Sequence, residues 1–248
     1  MTDKIKVFGD LHVPGDPLIL YNIWDAGSAL AVAGTGAKAI ATGSWGVACS
    51  LGFKDGETLP LNAALENLEC ILSVTDLPVT IDMEAGYGDS PAVVGVSIAK
   101  AAAAGAVGVN IEDKNPATRQ LFETADAAAR IKAAAATGLW INARADLFII
   151  TPKEQHDAAL VDAVIERAKA YADAGANSLF VPFVSDAGLI KKLCMASPLP
   201  VNILMNPGVP EPRELAELGV ARISYGHGPW AKAMKQLAED AKAAMTLR

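Results

Sequence analysis

The chain has 248 residues and a mass of 25.7 kDa, with 52% hydrophobic and 20% charged residues. Such a composition can bury a sizeable core, so a disordered or collagen-like protein is excluded. The formal net charge of −7 and the pI near 5.0 argue against a nucleic-acid binder, because backbone phosphates require a basic surface.

The sequence also predicts where the protein resides. Its first ten residues, MTDKIKVFGD, are charged and lack the apolar segment of a signal peptide. Its apolar runs stop short of the roughly 18 residues that a membrane span needs. Cys49, Cys70 and Cys194 lie far apart, without CxxC spacing, and we expect buried, unpaired thiols. A cytoplasmic protein without a membrane or nucleic-acid partner is therefore expected.

Short strand-like runs alternate with alanine-rich, amphipathic stretches from residue 18 onward. Strands are predicted at residues 18–22, 38–42, 79–84, 107–112, 139–144, 178–182, 201–205 and 221–225. Helices are predicted at 25–34, 62–75, 91–104, 124–137, 157–174, 186–195, 211–217 and 229–245. A glycine-rich loop over residues 43–56 follows the second strand.

Eight strand–helix units, whose strand ends recur every 29 residues on average, predict one (β/α)8 barrel domain over residues 1–248. The strands are nearly continuous apolar runs, which is typical of strands buried on both faces. An open, doubly wound sheet is the alternative. It is disfavoured because no GxGxxG phosphate loop follows the first strand.

Acidic residues gather where the third and fourth strands end, which is where barrel enzymes place their active sites. Asp82 and Glu84 are two positions apart and are expected on the same side of a strand, with Glu112 on the next strand. Carboxylates without His or Cys favour a hard cation, so we predict a Mg²⁺ site, which would also suit Mn²⁺. The alternative is an ion network in which Arg144 and Lys114 neutralise these acids.

Two further features could bind an anion at the same end of the barrel. Arg144, in INARAD, could hold a substrate carboxylate with its planar fork, or form a salt bridge to Glu112 or to Asp113. Gly43 and Ser44 could offer backbone N–H groups to an anion, or form a plain turn.

The three histidines form no HxxxH pair. We expect His12 and His156 at the surface and His227 near the mouth of the barrel. No ordered Ser, His and Asp triad is evident in the sequence, so nucleophilic catalysis is not indicated.

Taken together, these segments resemble the isocitrate lyase and phosphoenolpyruvate mutase superfamily over nearly the whole chain. The resemblance rests on TGSWGVACSLGFKDGE, VTIDMEAGYGD, VNIEDK, INARAD, FVPFVSD and PVNILMNPG, which occur in this order. It implies a Mg²⁺-dependent enzyme that makes or breaks a C–C or P–C bond next to a small 2-oxo acid. It also implies a homodimer or homotetramer.

The resemblance also implies roles for single residues. Asp82 resembles the direct metal ligand, and Glu84 and Glu112 resemble carboxylates that hold the metal through water. Asp55 resembles an acid near the metal, and Arg144 the residue that grips substrate and stabilises the enolate. Gly43 and Ser44 resemble the backbone donors to the substrate carboxylate.

The chain departs from the family in the loop after the fourth strand. There it reads EDKNPATRQLFE, without the Cys and His of isocitrate and methylisocitrate lyases. Thr118, Arg119 and Gln120 are the polar candidates in this short loop, which we expect to act as a lid or discriminator. A lyase, decarboxylase or phosphonomutase-like enzyme is therefore expected. The alternative is a barrel that binds a 2-oxo acid without catalysis.

Overall fold

A computed structural model describes residues 2–246, and in this range eight parallel strands form one sheet. The strands are β1 (Leu18–Leu20), β2 (Ile40–Ala41), β3 (Val79–Asp82), β4 (Gly108–Glu112), β5 (Trp140–Arg144), β6 (Ser178–Val181), β7 (Val201–Leu204) and β8 (Arg222–Ser224). They pair in the order β1-β8-β7-β6-β5-β4-β3-β2. The seam between β1 and β2 is closed by Ile23, whose N–H donates to the carbonyl of Ala41 at 2.9 Å. The predicted (β/α)8 barrel is confirmed.

Helices surround the sheet along the same range. They are α1 (Thr2–Asp10), α2 (Ala26–Ala33), α3 (Ser44–Ser50), α4 (Leu61–Leu72), α5 (Pro91–Ala104), α6 (Thr124–Ala135), α7 (Leu147–Ile150), α8 (Ala158–Asp173), α9 (Ala187–Ala196), α10 (Pro212–Glu217) and α11 (Gly228–Met245), with a 3₁₀ turn at Lys153–Gln155. Local sequence sets their ends. In α5, Ser90 caps the first turn, Pro91 opens it, and Gly105 ends it with a φ of 111°.

Several predicted boundaries were wrong. The third strand ends at Asp82 rather than at residue 84, because Glu84 has a φ of 48°, which extended backbone does not adopt. The predicted loop after the second strand contains helix α3. Val47 and Ala48 of this helix are buried in a small apolar cluster, so tertiary packing outweighs the local glycines.

The two faces of the sheet differ in chemistry. Side chains on the outer face, such as Val109, Ile141 and Leu179, are fully buried in the main apolar core beneath the helices. The interior also carries buried polar side chains: Asn110, Asn142, Ser178, Asn202, Arg222 and Ser224. A hydrogen bond of 3.2 Å from Arg222 Nη2 on β8 to Asn110 Oδ1 on β4 crosses this interior. Barrel interiors are more often filled by branched apolar residues.

The amino-terminal end of the barrel is covered by α1. Phe8 of this helix is fully buried, and the ring of His12 stacks on Trp140 with centroids 4.6 Å apart. The prediction that His12 lies at the surface was wrong, since it is only 6% exposed. Burial, and then the charge of Arg222, lower the pKa of His12 to about 3. His12 is therefore neutral near pH 7.

Two global expectations can be compared with the structure. The three cysteines are unpaired, but Cys70 is exposed and Cys49 and Cys194 are only partly buried, so the expectation of buried thiols was wrong. Among residues 2–246 we find no helix with the length and apolar character needed to cross a bilayer.

Candidate active site

A cavity of about 250 Å³ opens at the carboxyl ends of the strands. Each strand, or the segment directly after it, contributes to its lining: Asn22, Ser44, Asp82, Asn110, Arg144, Phe180, Leu204 and Ser224. Loop residues complete the wall: Asp55, Lys114, Arg119, Ile149, Phe183 and His227. The cavity therefore contains most of the predicted site residues at the place where barrel enzymes bind their substrates.

Asp82 lies at the end of β3 and faces this cavity. Its carboxylate accepts only two long hydrogen bonds, from the N–H groups of Ser44 at 3.4 Å and Glu84 at 3.3 Å. Within residues 2–246 it has no salt bridge. Burial raises its pKa, Arg144 opposes the shift, and Asp55 adds to it. A partly buried carboxylate with so few partners is suited to a cation.

Glu84 is placed differently. Its Oε2 accepts hydrogen bonds from the N–H groups of Gly56 and Glu57, both at 2.7 Å, and its Oε1 lies 3.3 Å from the hydroxyl of Tyr87. Burial, followed by the charges of Asp55 and Asp82, raises its pKa to about 8. Glu84 thus ties the loop that carries Asp55 to the end of β3. Asp55 itself is exposed and lines the cavity.

Glu112 belongs to a compact ion network. Its carboxylate lies 2.8 Å from Arg144 Nη1 and 3.3 Å from Lys114 Nζ. Arg144 also holds Asp146 with two bonds, Nε–Oδ1 at 2.6 Å and Nη2–Oδ2 at 2.8 Å, and Lys114 bonds the same carboxylate at 2.7 Å. Burial raises the pKa of Glu112 to about 7 despite its cationic neighbours. The ion-network alternative is therefore present around Glu112.

The guanidinium of Arg144 is not fully used by these pairs. Two of the five N–H bonds of the arginine side chain donate to Asp146, and Nη1 forms a salt bridge with Glu112, which leaves N–H bonds free for a ligand. Arg144 lines the cavity, so the substrate-binding and ion-pair interpretations are compatible. Asp146 is fully buried and is the partner that fixes the guanidinium.

Behind the network, Asp113 faces the helix layer instead of the cavity. It accepts hydrogen bonds from the hydroxyl of Tyr171 at 2.6 Å and from Arg167 at 3.1 Å, both on α8. Its other oxygen accepts the N–H of Asp146 at 2.8 Å. Asp113 therefore orients Asp146 from the outside of the barrel. Of the two alternative salt-bridge partners of Arg144, Glu112 is paired with it and Asp113 is not.

Gly43 and Ser44 both line the cavity, but one of the expected free donors is absent. The N–H of Gly43 donates to the carbonyl of Ile23 at 3.1 Å, because this bond helps to close the barrel seam. A Cβ on Gly43 would lie 3.2 Å from the carbonyl oxygen of Gly226, so the close approach of the β8 loop favours glycine here. The N–H of Ser44 makes only its long bond to Asp82 and remains the better candidate.

The loop after β4 is a compact turn. Asn115 Oδ1 accepts hydrogen bonds from the N–H groups of Ala117 and Thr118, which is typical of an Asx turn. Arg119 has a φ of 59° and lines the cavity, whereas Thr118 and Gln120 are exposed and are not in the lining. Of the three polar candidates in this loop, the structure brings Arg119 to the site.

Several lining residues were not predicted. Asn110 sits two residues before Glu112 on β4, and the period of two could have identified it. Phe180 and Phe183 form an apolar wall, and Phe183 reaches the cavity with a φ of 65°, for which the sequence gives no local signal. Of the histidines, His156 is half-buried rather than at the surface, and His227 lines the mouth as expected.

Within residues 2–246, no group of three or more His, Cys, Asp or Glu side chains is arranged to hold a metal ion. Of the three predicted carboxylates, Asp82 fits a direct metal ligand, since it lines the cavity and has only weak protein partners. Glu84 and Glu112 already have strong partners, which is compatible with contact through water. Their metal roles remain predictions.

Comparisons with known proteins show the family of the chain. The family model described as phosphoenolpyruvate phosphomutase matches residues 8–245. A solved phosphonomutase-like protein of Burkholderia cenocepacia J2315 is 48% identical, with a TM-score of 0.96 over 98% of this chain and 99% of that one.

Two curated relatives extend the comparison. An uncharacterized protein of Mycobacterium tuberculosis strain H37Rv is 38% identical over 95% of this chain and 88% of its own length. The 2-methylisocitrate lyase of Escherichia coli K12 is 30% identical over 77% of this chain and 69% of its own. The chain therefore belongs to the phosphoenolpyruvate phosphomutase family, within the isocitrate lyase and phosphoenolpyruvate mutase superfamily of lyases and mutases.

Proposed function

We propose that this protein cleaves or rearranges a C–C or P–C bond adjacent to a small 2-oxo acid, through a pyruvate-type enolate, with Mg²⁺ as cofactor. The observation that carries the proposal is the meeting of Asp82, Arg144 and the N–H of Ser44 on one cavity. A carboxylate without an ion pair beside a guanidinium with unused N–H groups suits a cation and an anionic oxygen side by side.

Asp82 would hold the ion directly, and Glu84 and Glu112 would hold it through water. Mg²⁺, or Mn²⁺ in its place, supplies Lewis-acid polarisation of the keto and carboxylate oxygens. Arg144 would donate its remaining N–H bonds to the oxygen on which charge develops. Because Asp146 and Glu112 fix the guanidinium, little reorganisation is needed as that charge appears.

The rest of the cavity would select the substrate. Lys114 is already paired with Asp146 and Glu112, whereas Arg119 has no salt bridge among residues 2–246 and adds a cation to the lining, which favours an acid with a second anionic group. Phe180 and Phe183 add apolar surface to the lining and would exclude water from the reacting carbon. Decarboxylation of an oxaloacetate-like acid needs no general base, which suits a loop without Cys or His at residues 115–121.

The proposal also covers assembly and location. Helix α11 projects with most of its side chains exposed, including Leu237 at 62% and Met245 at 79%. A cavity of about 580 Å³ lies between the start of α11 and α2, lined by Trp24 and Val32 among others. These apolar surfaces support a homodimer or homotetramer, which light scattering would test. The free thiols support a cytoplasmic location.

Turnover of oxaloacetate and of phosphonopyruvate, with and without Mg²⁺, tests the proposed reaction. We expect the wild type to turn over substrate, chelation of divalent ions to abolish this turnover, and Asp82→Ala to lack it even when Mg²⁺ is added. Asp76→Ala, the same change at an exposed carboxylate outside the cavity, is the matched control and should retain activity.

Measurements of oxalate binding in the presence of Mg²⁺ distinguish an enzyme from a non-catalytic binder. Tight Mg²⁺-dependent binding of oxalate without turnover of any 2-oxo acid would favour the non-catalytic binder. If Asp82→Ala gains as much thermal stability from Mg²⁺ plus oxalate as the wild type, the assignment of Asp82 is wrong.

A further inference from the structure

A chain of hydrogen bonds runs through the barrel interior beneath the cavity. The indole N–H of Trp140 donates to Ser178 Oγ at 3.0 Å, and Ser178 Oγ donates to Asn142 Oδ1 at 2.7 Å. Asn142 Nδ2 donates to Asn110 Oδ1 at 2.8 Å, and Arg222 Nη2 donates to the same oxygen at 3.2 Å. The chain therefore begins and ends at groups that can only donate, an indole and a guanidinium.

Those two groups fix the direction of every amide between them. If the amide of Asn110 were reversed, its NH₂ group would face the guanidinium of Arg222, and two donors would meet. Asn110 must therefore present its oxygen to the interior, so Asn142 must present its NH₂ group to Asn110 and its oxygen to Ser178. The hydroxyl of Ser178 accepts from Trp140 and donates to Asn142, which completes the chain.

The fixed orientation of the Asn110 amide leaves its Nδ2 on the side away from Arg222 and Asn142. Its Nδ2 has no hydrogen-bond partner among residues 2–246, although the side chain is only 5% exposed and lines the cavity. Asn22, another amide in the lining, differs, because its oxygen accepts two backbone N–H groups and its Nδ2 donates to the carbonyl of Thr42. Asn110 is thus a preorganised neutral donor, and it pairs in register with Asp82 on the next strand.

We propose that Asn110 is a substrate-binding residue, whose Nδ2–H donates to an oxygen of the bound 2-oxo acid beside Asp82. This inference rests on the proposed function. Arg222 and Asn142 are positioning residues, which act on substrate only by holding the amide in this orientation. The donor is uncharged, so it adds a directed hydrogen bond without neutralising the carboxylate of Asp82.

Asn110→Asp isolates the proposed contact. The new carboxylate still accepts the hydrogen bonds of Asn142 and Arg222, so the fold should survive with an unchanged or higher melting temperature. The N–H directed at the cavity is replaced by an oxygen, and calorimetry in the presence of Mg²⁺ should show at least roughly tenfold weaker oxalate binding. Asn110→Ala should also weaken binding about tenfold, without any added charge.

Asn202→Asp is the matched control. It makes the same change on β7 next to Arg222 in register, at a fully buried position outside the cavity lining. Oxalate affinity should stay within about threefold of the wild type. Equal losses in both Asp variants would assign the effect to charge in the interior and overturn the inference.

Wild-type affinity in Asn110→Asp or in folded Asn110→Ala would also overturn the inference, while leaving the proposed function intact. If the wild-type protein binds neither oxalate nor any 2-oxo acid with Mg²⁺, the proposed function fails and this inference fails with it. Should Asn110→Ala not fold, the two Asp variants decide the question.

Discussion

Burial shifts pKa values in opposite directions at the two ends of the barrel, because the buried groups are acids at one end and a base at the other. At the carboxyl end, burial raises the pKa of Glu84 to about 8 and that of Glu112 to about 7, and it also raises the pKa of Asp82. At the amino end, burial lowers the pKa of His12 to about 3. Desolvation favours the neutral form in both places.

The difference lies in what surrounds each group. His12 is stacked on Trp140 and bonded to the carbonyl of Phe8, an environment for a neutral ring. At the other end, Asp82 lines a solvent-open cavity, and Glu112 forms salt bridges with Arg144 and Lys114, which line the same cavity. The environment of His12 favours its neutral ring. At the carboxyl end, neighbouring carboxylates repel one another, and a bound cation with an anionic substrate would reduce this repulsion.

Removing Asp146 should have the largest effect, because it destabilises the ion network at the carboxyl end of the barrel. Asp146→Ala leaves Arg144 and Lys114, both largely buried, with Glu112 as their remaining salt-bridge partner in the described network. We expect a loss of about 3–5 kcal/mol in the free energy of unfolding, measured in urea. Asp10→Ala, which removes an exposed partner of Lys6, should cost at most about 1 kcal/mol. Similar losses in the two variants would contradict a special role for the network.

Arg144→Lys should affect turnover and spare the fold. Lysine keeps the charge but cannot reproduce the planar fork on Asp146 together with the bond to Glu112. Loss of a directed donor to a developing oxyanion costs about 3–4 kcal/mol, so kcat should fall by roughly a hundredfold to a thousandfold. The measurement is steady-state turnover alongside the melting temperature. Near wild-type turnover would make Arg144 a structural ion-pair residue.

The pH dependence of stability tests the amino end. His12 has a folded pKa below its unfolded value, so the unfolded state binds more protons between about pH 3 and pH 6.5. Its contribution to stability is therefore lost as the pH falls through this window. Relative to the non-titrating His12→Gln, the wild type should lose up to about 1.4 kcal/mol more per pH unit. Parallel urea-derived stability curves would show that His12 protonates freely in the folded protein.

Arg119→Ala should have the smallest effect and should act on substrate choice. Arg119 is exposed and lines the cavity from the loop after β4, so screened charge is all that it loses. We expect KM for a dianionic substrate to rise several-fold while kcat changes little, and Mg²⁺–oxalate affinity to stay near the wild-type value. An equal change for monoanionic and dianionic substrates would argue against a discriminating role.

The barrel was predictable because its signals are local. Ser90 and Pro91 begin a helix, Gly105 ends it, and apolar runs separate such helices at a steady spacing. Helix α3 was missed because its stability comes from Val47 and Ala48 packing in a tertiary cluster, which local propensity does not encode. The same limit applied to His12, whose burial depends on α1 covering the barrel.

The sequence indicated which residues lie at the candidate site better than it indicated the hydrogen bonds that they form. Of the residues that the motifs indicated, Asp82 and Arg144 line one cavity, and Glu112 forms a salt bridge with Arg144. Nothing in the local sequence specifies that Glu84 turns to bind the backbone of residues 56 and 57, or that Gly43 uses its N–H to close the seam. These contacts join residues that are 20 or more positions apart, and they depend on how the barrel closes.

The hydrogen bonds that hold Asp113 could influence how such a protein changes over evolutionary time. Arg167 and Tyr171 lie on the outer helix layer, yet they hold the carboxylate that orients Asp146, which in turn holds Arg144. Substitutions at these largely buried, barrel-facing positions of α8 could thus change how the guanidinium of Arg144 is held without altering any residue that lines the cavity. Selection for a new substrate would then have a route through the outer helices, where variation is tolerated better than among the residues that do the chemistry.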